Sequence, residues 1–279
     1  MALEFAANGS FAIVCDSACD LTPEFLERLG VACVLLENDR VEDFGELYEG
    51  LVSSGVMQIA SVHSDAPVIA QVGHIAGHLG DGVHVEIVEV PASSAACGMV
   101  VERLAAARAA GVEFSDAVPL ARALAGASRK LVIPASDSPF MAMRAQRRHH
   151  TSLVARASAL KVRLTGERML FLVGPEGTTC LARSTSFSEL GECLAQAMVR
   201  MAQTEGPLVH VLVHAGESRA ADGVDAKIEA AGVDSTRLGM ARTCGTYENI
   251  VGKGAIAVCF APKEAYLQAG ASPARIEST

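Results

Sequence analysis

A short β-prone run, Phe11 to Cys15, stops at Asp16-Ser17, and a helix opens a few residues later at Thr22. This unit constrains the fold more than any other stretch of the chain. The Thr22 hydroxyl can cap a helix over 23–29, Pro23 suits its first position, and Gly30 follows its last turn. A strand feeding a capped helix is half of a βαβ unit. In parallel α/β sheets the carboxyl ends of the strands face the ligand crevice. Asp16 and Ser17 therefore stand where such folds bind.

The alternation continues along the chain. Residues 31–36 predict a strand. Residues 42–54 repeat Phe44, Leu47, Leu51 and Val52 at helical spacing before Gly55. The stretch 57–66, MQIASVHSDA, reads as a polar loop. A helix over 67–79, a strand over 83–90, an Ala-rich helix over 95–110 and a helix over 115–126 follow. This pattern predicts an N-terminal α/β lobe over 1–127, with a mostly parallel sheet and right-handed crossovers. From 128 the texture changes. A strand over 131–133 precedes a basic helical stretch, 138–160, that holds Arg144, Arg147, Arg148, His149 and His150. Gly174-Pro175-Glu176-Gly177 predicts an antiparallel hairpin between 169–173 and 178–182. A helix over 188–203, a strand over 208–213, a helix over 217–230, a strand over 236–241, a loop and a strand over 255–260 complete a second lobe, 128–279, with a mixed sheet.

The 279 residues suffice for two such cores. Half are apolar and 20% are charged, which describes a soluble globular chain rather than a disordered one. A net charge of −9 argues against general affinity for nucleic acid or anionic membrane. No uncharged apolar run approaches a membrane span, and no basic region precedes an apolar N-terminal stretch, so a cytoplasmic protein is expected. The eight cysteines form no Cys-x-x-Cys pair and read as free thiols behaving as small hydrophobes. His74 and His78 share a helix face without a carboxylate or cysteine at metal-ligand spacing, and His210 and His214 share a strand. Gly252-x-Gly254 precedes a strand, the wrong context for a dinucleotide fingerprint. No phosphate loop, nucleophile elbow or kinase signature occurs. With no full catalytic set, the chain is not expected to be an enzyme and no cofactor is implied.

Several separated segments carry a family resemblance. IVCDSACDLTPE, with Asp16, Ser17, Asp20, Leu21 and Pro23, is similar to the opening of DegV-family proteins. FGELYEGLVSSG supplies a matching Tyr48 and Leu51, and IASVHSDA aligns with the family's Thr-Ser-Gln-Pro-Ser element through Ser61 and Ser64. CLARSTSFSEL resembles the Lys-x-Arg-Thr segment through Arg183. LVHVLVHAGES and CGTYENIVGKGAIAVCF resemble the closing strand-helix unit and the His-x-Gly-Pro-Gly-Ala loop, with Gly252, Gly254 and Ala255 matching. The resemblance covers most of residues 11–262. It departs at Ala60, Val62 and His63, at Ile250 in place of the loop histidine, and at Lys253 in place of its proline. The family's second serine element is either deleted or replaced by Ser93 or Ser94, and its Gly-Gly-Arg element is approximated near Arg147-Arg148.

The resemblance implies a two-lobed EDD fold that buries a long-chain fatty acid and holds its carboxyl at the inter-lobe crevice, presented to a separate fatty-acid kinase. Burying about fifteen methylenes contributes on the order of 12 kcal/mol gross, while the carboxyl must be hydrogen-bonded. The implied carboxyl-binding set is Asp16, Ser17, Ser61, His63, Ser64, Ser93, Ser94, Gly252, Lys253 and Gly254. Arg147, Arg148 and Arg183 are implied for partner binding, with no metal and no stable membrane insertion. The alternative is a degenerate paralogue with a regulatory or scaffolding role and no lipid.

Overall fold

Four strands running the same way build the first lobe. β1 (Ala12–Asp16), β2 (Ala32–Val34), β3 (Gln58–His63) and β4 (His84–Glu89) pair in the order β2-β1-β3-β4, all parallel. The structure, a computed structural model, describes residues 11–36, 42–141, 166–268 and 276–277. Helices α1 (Pro23–Leu29), α2 (Glu42–Ser53) and α3 (Ala66–Ala76) make the crossovers. The Thr22 hydroxyl accepts from the Phe25 N–H at 3.2 Å, as the capping residues predict. One face of the sheet packs on α2 and α3 through Val14, Phe44, Tyr48, Ile59 and Val72.

The second sheet is mixed. β5 (Arg129–Ile133), β6 (Arg168–Gly174), β7 (Gly177–Ser184), β8 (Leu208–His214), β9 (Ser235–Arg242), β10 (Ile256–Pro262) and β11 (Ile276–Glu277) take the order β11-β9-β8-β10-β5-β6-β7. β8, β9 and β11 are parallel to one another; β10, β5, β6 and β7 each pair antiparallel with their neighbours. The β6–β7 hairpin turns at Pro175-Glu176, where the Gly-Pro-Glu-Gly signal lies. Helices α6 (Phe187–Glu205) and α7 (Ser218–Ala230) cover one face through Leu190, Leu194, Met198 and Val224.

Between the sheets lie α4 (Ala95–Ala109) and α5 (Phe114–Ala127). In α4 every residue from Ala95 to Ala105 is buried, and a helix apolar on all sides belongs in an interior. It joins Ile13, Val62 and Val88 of the first sheet to Val132, Val211 and Ala257 of the second in one core. Gly98 makes this approach possible, since a Cβ there would lie 2.6 Å from the Cys19 carbonyl oxygen. The buried Glu102 and Arg103 pair with each other. Tyr266, on the short helix α9 (Lys263–Leu267), donates to Glu102 Oε2 at 2.6 Å. The layers thus run helix, sheet, helix, sheet, helix.

Two expectations change. Residues 57–66 are not a loop, because Gln58–His63 form β3, a central strand whose last five residues are all buried. Its Ser61 and His63 are tolerated inside because they satisfy each other's hydrogen bonds. The loop expected before the last long strand contains the helix α8 (Gly245–Val251). Most of the basic stretch 138–160, with Arg147, Arg148, His149 and His150, lies outside the described residues.

Candidate functional site

At the carboxyl ends of β1 and β3 the side chains close a chain of hydrogen bonds. The Asp16 carboxylate accepts from the Ala18 N–H at 2.9 Å through one oxygen and meets His63 Nδ1 at 2.6 Å through the other. That leaves His63 Nε2 to accept from the Ser61 hydroxyl, 2.6 Å away, and Ser61 in turn meets the Tyr48 hydroxyl of α2. The order Asp–His–Ser is that of a hydrolytic triad. A nucleophile must reach its substrate, however, and Ser61, His63 and Tyr48 are all 0% exposed. Phe44 closes over the imidazole with its ring edge-on at 5.3 Å. The chain therefore acts as a strut between β1, β3 and α2.

A second cluster spans the two lobes. The turn Ser17–Cys19 ends at Asp20, which takes a left-handed backbone, φ 57°. The Asp20 carboxyl accepts from the Ser94 hydroxyl, from the Cys244 N–H at 2.9 Å and from the Thr243 hydroxyl at 3.2 Å. Burial pushes its pKa up from 3.8 to about 7, against the pull of the Ser94 and Cys244 hydrogen bonds. Ser93 and Ser94, between β4 and α4, have φ of 57° and 61°, a conformation that non-glycine residues adopt at a cost. This strained corner aims the Ser93 hydroxyl at the second lobe and the Ser94 hydroxyl at Asp20, which itself bonds across to Thr243 and Cys244. Lys130 Nζ donates to Ser93 Oγ at 2.5 Å and reaches the Tyr247 hydroxyl at 3.4 Å, while Ser93 and Tyr247 also bond each other. Lys130 is 4% exposed, and among the described residues no carboxylate lies in ion-pair range of it. Burial pulls its pKa down, but Tyr247, Cys259 and Asp20 more than offset that, so the ammonium stays charged. Ser94, Lys130, Thr243, Tyr247 and His214 line an inter-lobe cavity of about 20 Å³, walled by Val132, Val213, Val251 and Ile256. That volume holds a water-sized group.

The sequence-predicted residues divide between these places. Asp16, Ser61 and His63 belong to the sealed strut and do not line the cavity. The Ser17 hydroxyl accepts from the Leu36 N–H at 3.1 Å, a local tie to the end of β2. Ser64 is half-buried beside β3. Ser93 bonds the second lobe directly, through Tyr247 and Lys130, while Ser94 lines the cavity and bonds Asp20. Gly252 has φ 84° and packs so closely that a Cβ would lie 2.6 Å from the Ala135 Cβ; the Gly254 N–H donates to the Ala215 carbonyl at 2.8 Å. These two glycines shape the loop that brings Val251 and Ala255 to the cavity, whereas Lys253 is exposed. Arg183 is exposed on β7, the sheet's edge strand. His74 is exposed on α3 and His78 in the turn just after it, and among the described residues no group of three or more His, Cys, Asp or Glu is placed to hold a metal. Lys130, Thr243 and Tyr247 escaped the sequence reading. The one available signal was a lysine inside the strand RKLVI, where a charge needs a partner.

No protein-family profile matches the sequence, and no curated protein matches it significantly. Solved structures do match in fold. A fatty-acid-binding DegV-family protein from Thermus thermophilus superposes with a TM-score of 0.74 at 15% identity, over 91% of this chain and 99% of that one. A DegV-family protein from Corynebacterium glutamicum gives 0.73 at 14%, over 91% and 97%. A stearic-acid-binding protein from Eubacterium ventriosum gives 0.72 at 11%, over 92% and 99%. With a parallel four-stranded sheet, a mixed seven-stranded sheet and near-complete mutual coverage, this chain has the two-lobed fold of the DegV proteins.

Proposed function

We propose that the chain is a divergent DegV-family member that binds a long-chain fatty acid and performs no chemistry on it. The acyl carboxylate is held at the inter-lobe cluster by Lys130, Ser93 and Tyr247, and presented there to a separate fatty-acid kinase in the cytoplasm. The observation that carries this reading is the buried Lys130 ammonium beside the cavity. A buried charge is stable when paired, and a carboxylate arriving at the Ser93–Tyr247 hydroxyls would pair it. The Asp20 carboxyl, held near 7 by burial, adds little opposing charge below that pH. The exposed Arg183 on β7 is a contact for an acidic surface of the kinase.

Native mass spectrometry of protein purified from cells tests the reading. A copurified fatty acid is expected, as is uptake of added palmitate or oleate by stripped protein. Repeatedly empty spectra with no uptake would sink it. A regulatory paralogue without lipid is the second reading, favoured by a cavity of about 20 Å³ that must widen before it seats an acyl chain. It predicts partner binding that added fatty acid leaves unchanged.

A further inference from the structure

Three thiols meet where β1 and β2 end. Cys15 and Cys33 are register partners on adjacent parallel strands. Cys15 Sγ lies 3.8 Å from Cys19 Sγ in the turn that follows. Adjacent strands run about 5 Å apart, inside the roughly 4.4–6.8 Å Cα span that a disulfide bridges. The three differ in exposure. Cys15 and Cys19 are buried, and Cys33 is partly exposed. They differ in acidity in the same sense. Hydrogen bonds from Cys15 and Cys19 lower the Cys33 pKa against burial and the Asp16 charge. Hydrogen bonding to Cys19 and Cys33, with burial, raises Cys15. The partly exposed sulfur is thus the more readily ionised one, and its register partner Cys15 is the buried thiol beside it. This is the arrangement of an attacking and a resolving cysteine.

We propose that Cys33, Cys15 and Cys19 form a peroxide-responsive thiol relay centred on Cys15. The Cys33 thiolate attacks a peroxide oxygen; the O–O bond breaks, Cys33 becomes a sulfenic acid, and the departing hydroxide or alkoxide takes a proton. The Cys15 sulfur then attacks the Cys33 sulfur, the S–O bond breaks, and water leaves with the Cys15 proton. The Cys19 sulfur then attacks the Cys15 sulfur and gives up its proton to solvent, the Cys15–Cys33 bond breaks, and Cys33 leaves as the thiolate, so the disulfide moves to Cys15–Cys19. The relay is flanked by Asp16 and Asp20, so it sits in the segment that ties the strut to the inter-lobe cluster. It stands independently of any fatty-acid ligand.

Reduced full-length protein is treated with hydrogen peroxide, the remaining thiols are alkylated, and peptides are mapped without reduction. The expected product is a disulfide containing Cys15, joined to Cys33 or Cys19, with the loss of two hydrogens in the intact mass. Cys33→Ser should abolish it, while Cys193→Ser, on the exposed surface of α6, should leave its yield unchanged. Wild-type mapping decides the matter even if a variant fails to fold. A disulfide lacking Cys15, Cys33 accumulating as sulfinic acid beside alkylated Cys15, or no oxidation among the three would each overturn the relay.

Discussion

The strut Asp16–His63–Ser61–Tyr48 and the cluster Asp20–Ser94 and Lys130–Ser93–Tyr247 are built from the same kinds of side chain and do opposite things. In the strut each acceptor meets a donor of the same lobe, and Ser61 and His63 have no exposed surface. In the cluster a charge from one lobe rests on hydroxyls from both, on a strained corner, next to a cavity. A fully satisfied buried network rigidifies, and its chemistry is spent within itself. A buried ammonium bonded only to neutral oxygens retains its affinity for an anion. Triad-like geometry is therefore the weaker functional signal here, and incomplete charge pairing is the stronger one.

The largest test of this contrast is His63→Leu. It leaves the Asp16 carboxylate buried without its partner, and the expected loss is about 3–5 kcal/mol in denaturant unfolding. A loss below about 1 kcal/mol would mean that the strut is not holding the lobe. Next is pH. The folded Asp20 carboxyl keeps its proton to higher pH than the unfolded one, so stability falls as pH rises from about 4 to about 7 and then levels. Holding that carboxyl near 7 instead of 3.8 removes up to about 4 kcal/mol by pH 8. Asp20→Asn should flatten this part of the unfolding curve measured between pH 4 and 8; parallel curves would contradict the assigned burial effect.

Lys130→Met separates ligand from stability. It should weaken palmitate binding roughly tenfold to hundredfold, since a charge-assisted hydrogen bond contributes about 1.5–3 kcal/mol. Binding of the corresponding fatty alcohol should change little, and so should folding stability, because the ammonium is replaced by an apolar chain of similar length. Equal losses for acid and alcohol would place the carboxylate elsewhere. The smallest effect is expected at Tyr48→Phe, about 1 kcal/mol in unfolding from one lost hydrogen bond, with ligand retention unchanged. Weakened retention in this variant would join the strut to the site and erase the contrast.

Much of the fold was legible in the chain because secondary structure is written locally. The Thr22 cap, Pro23 and Gly30 mark α1, and Gly-Pro-Glu-Gly marks the β6–β7 hairpin. The strand β3 was not legible. Its Ser61 and His63 read as solvent-facing until Asp16, on β1, and Tyr48, on α2, supply their partners. Nor does the polarity of IASVHS alone separate a loop from a strand whose hydrogen bonds are completed by another segment. Ser93 and Ser94 could be named from their place in the chain, but not the backbone strain that aims them.

The sequence by itself determined the alternation of strands and helices, the two lobes, the charge of −9 and the strand-end Asp16-Ser17. Periodicity and capping act over a few residues, and those features require nothing more. The cluster required the tertiary structure, because Asp20, Ser93, Lys130 and Tyr247 come from four separate elements in two lobes. They meet only because α4, buried on nearly every side, draws both sheets onto itself. Burial lifts Asp20 toward neutrality, while Tyr247, Cys259 and Asp20 hold Lys130 charged against it, and no local pattern records which distant side chains will share a dry space.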